Sequence, residues 1–164
     1  MVNEVIEVIL TGGRLEKVLN EEIGRLFYTQ SCFSTMLEQS HCTLDLKKHT
    51  LMLKDSLEIN QDDLDAIAAC CAHTPGKKVL ISHGINTIIR TALDLAAREI
   101  PKTIVLYGAF LPFSLSRSDA LFHFGSALTA VQMLPHGVYV AMNGRVIPAD
   151  KVRRDPETGN FYEQ

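Results

Sequence analysis

The sequence predicts an α/β fold: a single doubly wound, mainly parallel sheet with helices on both faces. Three observations carry this expectation. Strand-sized apolar runs alternate with helical patterns along the 164 residues. Several strand–helix–strand units recur, the arrangement that builds a parallel sheet. The first two well-marked runs, Val5 to Leu10 and Val79 to Ile81, each end in a glycine-containing turn.

Val5 to Leu10 is apolar and β-branched and stops at Gly12-Gly13, predicting a first strand and turn. Thr43 to Leu46 and Leu51 to Leu53 flank Lys47-Lys48-His49-Thr50, which predicts a polar hairpin. Asn60 is placed to cap a helix with Asp62 and Asp63 in its first turn. Leu64, Ile67, Ala68 and Cys71 follow the i, i+3, i+4, i+7 pattern, and Pro75-Gly76 ends the run.

Val79-Leu80-Ile81 predicts a buried strand, and Ile88, Ile89, Ala92, Leu93 and Ala96 trace the amphipathic helix after it. Pro101 closes that helix, and Thr103 to Tyr107 predicts another strand. Ser118 and Asp119 open a helix with Leu121, Phe124, Leu128 and Val131 on one face. Pro135-His136-Gly137 stops it, and Val138 to Met142 predicts a final core strand. The expected division is an α/β domain over residues 1–154 and a polar tail over 155–164. That tail either frays or is anchored by Phe161 and Tyr162.

Hydrophobic residues make up 46% and charged residues 21%, the balance of a soluble globular domain with a real core. A net charge of −3 without a dense basic run argues against a nucleic-acid partner. No apolar stretch reaches membrane-spanning length, so no membrane partner is expected. Met1-Val2-Asn3-Glu4 lacks the basic start and long apolar middle of a signal peptide, which predicts a cytoplasmic protein. Cys32, Cys42, Cys70 and Cys71 lack paired C-x-x-C spacing and read as reduced structural thiols. No metal site and no cofactor are expected, because the six histidines are scattered and no two share an i, i+4 helix face.

Two segments carry the functional reading. Residues 6–15 read Ile-Glu-Val-Ile-Leu-Thr-Gly-Gly-Arg-Leu, and residues 79–87 read Val-Leu-Ile-Ser-His-Gly-Ile-Asn-Thr. Together they resemble the two signature segments of the bacterial-type L-asparaginases, a family of threonine-nucleophile amidohydrolases. The resemblance continues in order through Asp55-Ser56, Lys102 to Pro112, Ser118-Asp119-Ala120 and Gly137 to Val146. It covers most of the chain and implies the N-terminal domain of that family.

The same resemblance implies that the reactive atoms are missing. The family's T-G-G-T reads Thr11-Gly12-Gly13-Arg14 here, so Arg14 stands where the nucleophilic threonine is expected. The family's H-G-T-D-T reads His83-Gly84-Ile85-Asn86-Thr87, so Ile85 and Asn86 replace the second threonine and its aspartate. The family's lysine falls at Arg154. A guanidinium stays protonated and offers no nucleophile or base near neutral pH. Thr11 is expected to make a turn hydrogen bond rather than to replace the nucleophile. Enzymes of the family are about twice as long, so one copy of this chain is not expected to complete a family-type pocket.

A pocket, if present, is expected where the loops after the first strand and after Ile81 meet. Thr11, Gly12, Gly13, Arg14, Ser56, His83, Gly84 and Asn86 would line it. Glycine turns let backbone N–H groups approach an anion, and Arg14 adds a fork suited to a carboxylate. A small carboxylate or amino acid is therefore the expected ligand, unless Arg14 points to solvent or pairs with Glu16 or Asp119. The leading expectation is a catalytically inactive asparaginase-like protein that binds such a ligand or acts through self-association, as a homodimer. The alternatives are an amidohydrolase with a rearranged or subunit-completed site, and a regulatory partner of a full-length homologue.

Overall fold

The computed structural model describes residues 4–164. In chain order its elements are β1 (Ile6–Gly12), β2 (Val18–Asn20), β3 (Arg25–Phe27), α1 (Phe33–Ser40), β4 (Leu46–Lys54), α2 (Gln61–His73) and β5 (Lys78–Ser82). They continue with α3 (Ile88–Ala97), β6 (Thr103–Tyr107), α4 (Ala120–Met133), β7 (Gly137–Met142), β8 (Arg145–Pro148), β9 (Val152–Arg154) and β10 (Phe161–Glu163).

Six strands form the central sheet in the order β4-β1-β5-β6-β7-β8. Five pair in parallel, and β8 adds an antiparallel edge. Alternation of side chains along each strand divides the core into two layers. Ile9, Ile81, Leu106 and Met142 face Ile67 and Cys71 of α2 and Ile88, Ala92 and Leu95 of α3. Val8, Leu10, Leu80, Val105 and Tyr107 face Phe33 and Met36 of α1 and Phe124, Ala127 and Val131 of α4. The expected doubly wound sheet is therefore present. Burying each large aliphatic or aromatic side chain stabilises it by roughly 1.5–3 kcal/mol.

Local chemistry sets the helix ends. Asn60 Oδ1 accepts from the Asp63 N–H, and the Asp63 carboxylate accepts from the Asn60 N–H, both at 3.0 Å. This reciprocal box starts α2. At its other end the buried Lys102 ammonium donates to the carbonyls of Cys71 and Thr74, supplying a cation where the helix dipole is negative.

Two expectations need correction. Lys47 to Thr50 is not a hairpin but the middle of β4, one continuous strand paired in parallel with β1. An edge strand has one open side, where lysines guard against further pairing. Within it, His49 turns onto the buried carboxylate of Glu7, with Nε2 and Oε2 2.6 Å apart. Val138–Met142 is not the last strand of the sheet either. Asn143-Gly144, both at positive φ (55° and 72°), turns the chain straight into β8.

In the tail, β10 pairs with β9, and Phe161 is only 2% exposed against the α2–α3 side of the core. Phe161 anchors residues 155–164, while Tyr162 is exposed and does not. Among the described residues no helix is long and apolar enough to cross a membrane.

Candidate functional site

In sheets wound this way the crevice lies beyond the carboxyl ends of the strands, where the winding reverses. Here β1 has β4 on one side and β5 on the other, so the reversal falls between the loop at Gly12-Gly13 and the loop at His83-Gly84. Those loops touch. Gly13 has φ 80°, and a β-carbon on it would sit 2.5 Å from the Gly84 Cα. A β-carbon on Gly84 would sit 2.5 Å from the Ser56 Cβ. Glycine at both positions is what lets three loops close on one another.

Side chains beneath lock this contact. Thr11 is fully buried and donates its hydroxyl proton to the Ser82 carbonyl at 2.7 Å, so it ties β1 to β5 rather than making the expected turn bond. His83 is fully buried. Its Nδ1–H donates to the Gly84 carbonyl and its Nε2 accepts from the Thr91 hydroxyl, each at 2.8 Å. Burial pulls its pKa down to about 4, so the imidazole is neutral. Thr87 Oγ1 donates to the Ser56 carbonyl at 2.8 Å and ties the third loop in. Thr11 and His83 thus brace the loops from within, while Gly13, Gly84 and Ser56 form their meeting point.

The four positions where the family's reactive groups were expected lie around this point. Arg14 opens a short 3-10 turn (Arg14–Glu16) after β1. It does not pair with Glu16 or Asp119. Glu16 is buried and accepts from the Ser31 hydroxyl and the Cys32 N–H. Asp119 accepts from the N–H groups of Phe110 and Leu111 at 2.8 and 2.9 Å. Arg14 Nη1 instead donates to the Phe110 carbonyl at 2.9 Å. Ile85 is buried in the apolar layer that also holds Met142 and Phe161. Asn86 Oδ1 accepts from Arg154 Nη1 at 3.2 Å. Arg154 also donates to the carbonyls of Gly159 and Ile85, and its guanidinium lies 5.4 Å from the Phe161 ring centroid. Burial, and then the nearby charge of Arg14, lower its pKa.

Several contributors carry no periodic signature. The Tyr28 hydroxyl is buried beside Gly13, and its pKa is pushed up to about 12, mainly by burial and then by Asp55. Lys17 lies 5.4 Å over the Tyr28 ring and 3.0 Å from Asp55. His123 joins three loops. Its Nε2 accepts from the Asn143 N–H at 3.0 Å, which places its proton on Nδ1, facing the Gly108 carbonyl and Asp119. The Asn143-Gly144 dipeptide was the one cue to this end of the network.

Amide hydrolysis needs an activated hydroxyl, a base within reach, and an open path to both. The Thr11 and Thr87 hydroxyls are tied to carbonyls, and Tyr28 holds its proton. His83 does meet a hydroxyl at Thr91, but both side chains are sealed in the core. The guanidiniums of Arg14 and Arg154 lie near one another beside the glycine turns, and the Asp55 carboxylate also feels the Arg14 charge. Among the described residues no three His, Cys, Asp or Glu side chains gather as metal ligands.

Comparison with known proteins agrees with this architecture. The model of the asparaginase N-terminal domain matches residues 5–158. The thermostable L-asparaginase from Thermococcus kodakarensis superposes with a TM-score of 0.84 at 23% identity, over 97% of this chain and 51% of that one. L-asparaginase I from Vibrio cholerae O1 biovar eltor gives 0.84 at 19% identity, over 99% and 52%. A probable cytoplasmic L-asparaginase from Campylobacter jejuni gives 0.83 at 21% identity, over 98% and 53%. The chain therefore spans about half the length of these structures. No curated protein matches it.

Proposed function

From the premise that this chain belongs to the asparaginase family, through its N-terminal domain, we propose that it is a catalytically silent member that binds a small carboxylate in the cytoplasm. One observation carries this reading. By the sequence resemblance Arg14, Ile85, Asn86 and Arg154 fall where the family's reactive groups are expected; Arg154 bonds to Asn86 and the Ile85 carbonyl, and none of the four supplies a nucleophile or a base. Function is set by the site rather than by the fold. On this reading the site keeps cationic donors for an anion and lacks the groups that turnover needs.

The binding unit is the α/β domain of residues 1–154, with the tail of residues 155–164 closing over Arg154. The carboxylate is held by the exposed Arg14 fork, over the packed turns of Gly12, Gly13 and Gly84 and the buried Ser56. The test pairs ammonia release with calorimetry. The purified chain should release no ammonia from asparagine or glutamine at enzyme rates, and aspartate should give saturable heat. Turnover on the order of 1 s⁻¹ would overturn the silent reading.

Self-association is a second part of the proposal, favoured by one surface. Phe122 and Met133 of α4 are 60% and 80% exposed, and Val146 of β8 lies on the same side. Apolar surface of this kind is commonly covered by a symmetry-related copy.

A further inference from the structure

Some cations of the chain pair with acids, whereas Arg90 and Arg153 bond only to backbone carbonyls. Lys17 meets Asp55, Lys54 meets Asp63, and Arg98 meets both Asp65 and Asp94. Arg14 and Arg154 belong with the second group. Neither forms an ion pair among the described residues, and their hydrogen bonds go only to neutral acceptors.

Both lie in the neighbourhood of Phe110. Arg14 donates to the Phe110 carbonyl. A β-carbon placed on Gly159 would lie 3.5 Å from Arg154 Nη2 and 3.9 Å from Cε1 of the Phe110 ring, so Gly159 adjoins both Arg154 and Phe110. Phe161 backs both, with its ring 6.4 Å from that of Phe110 and 5.4 Å from the Arg154 guanidinium. Arg14 and Arg154 repel one another here, and Asp55, the acid that feels the Arg14 charge, is already paired with Lys17. The Nη2 groups of both arginines donate to no group among the described residues, so each keeps N–H donors for an oxyanion.

We infer that Arg14 and Arg154 together grip one terminal carboxylate of a short dicarboxylate, so that the site selects the diacid over its half-amide. This rests on the ligand-binding reading above and adds which group is recognised and by what. One carboxylate has two oxygens and about four acceptor positions, enough to take donors from both guanidiniums. An amide offers one acceptor oxygen and turns an NH₂ toward a cation. It cannot relieve the repulsion between the two arginines.

The test is titration calorimetry of the full chain with succinate and with succinamate, its half-amide, at one ionic strength. Succinate should bind at least tenfold more tightly. Arg14→Gln and Arg154→Gln should each abolish the preference, and the double variant should lose no more than either single one. Arg154 also braces Gly159 and Ile85, so Arg14→Gln is the cleaner variant. Its ligand-free melting temperature should be no lower than that of the parent, because removing one charge relieves the pair. Equal affinity for the two probes, or a preference that survives in Arg14→Gln, overturns the inference and leaves the ligand-binding reading standing. No binding of either probe or of aspartate overturns both.

Discussion

Arg154 Nη1 and Asn86 Oδ1 lie 3.2 Å apart, joining β9 to the loop after β5 across 68 positions of sequence. The acceptor is an amide, so the guanidinium is held without being neutralised. Asn86→Asp should place a carboxylate on that donor with little change of shape. The expected result is a gain in stability of up to about 1 kcal/mol, the range of a partly exposed ion pair. Succinate binding should weaken by about tenfold, because Arg154 now has an internal partner. Thermal melts and calorimetry read the two effects separately, and tighter succinate binding would contradict the assigned role of Arg154.

Restoring one reactive group should not restore chemistry. Arg14→Thr puts a hydroxyl at the crevice, but Ile85 and Asn86 still provide no hydroxyl or carboxylate beside it. Groups that act as a unit lose nearly everything when one is missing. Ammonia release from asparagine should therefore stay at the blank rate in Arg14→Thr, as in the parent. Measurable turnover in this single variant would mean that another side chain serves as the base.

Acid should destabilise the fold before its carboxylates titrate. His83 is held near a pKa of about 4 by complete burial, against roughly 6.5 for a free imidazole. A folded-state pKa below the unfolded one means that the unfolded chain takes up the proton first. This contribution is complete above about pH 6.5 and is lost as pH falls from there toward about 4. Its total is on the order of 3 kcal/mol, from about 1.4 kcal/mol per pKa unit. Burial shifts His123 in the same direction. Urea midpoints at pH 7, 6 and 5 should fall steadily, and a flat profile would contradict neutral burial of these rings.

The parts of this molecule that were legible in its sequence are those governed by short periods. Val79–Ile81, Thr103–Tyr107 and the Leu64–Ile67–Ala68–Cys71 stripe each bury a continuous or 3.6-residue face, and the structure places them in β5, β6 and α2. The middle of β4 was misread because an edge strand carries lysines for its open side, which mimic a turn. The crevice was partly legible through its glycines. Which side chains brace it was not: Thr11 with Ser82, His123 with Asn143, and Arg14 with Phe110 are contacts between residues 20 to 96 apart. Such pairs leave no local pattern, because the sheet order and not the chain order brings them together.

Light scattering should show a dimer at micromolar concentration. Phe122 and Met133 are the most exposed large apolar side chains of α4, and Phe122 covers the Gly144 turn. If this side of α4 forms the interface, Phe122→Glu with Met133→Glu should give a monomer that keeps the parent's circular dichroism. Monomer in both parent and variant would remove self-association from the proposed function.

Two glycines separate the demands of the crevice from those of a helix. Gly84 packs against Ser56, where an added β-carbon would lie 2.5 Å from Cβ and 2.6 Å from Oγ. Gly84→Ala must push apart the loops that meet there, at a cost of about 1–3 kcal/mol for overpacking. It should also weaken ligand binding. Gly125 lies within α4 with no atom near its β-carbon position. Gly125→Ala should stabilise by about 0.5–1 kcal/mol, since alanine loses less backbone entropy in a helix, and should leave binding unchanged. Denaturant melts of both variants with succinate calorimetry decide this. If Gly84→Ala matched Gly125→Ala in stability and kept full affinity, the contact of Gly84 with Ser56 would not be what closes the site.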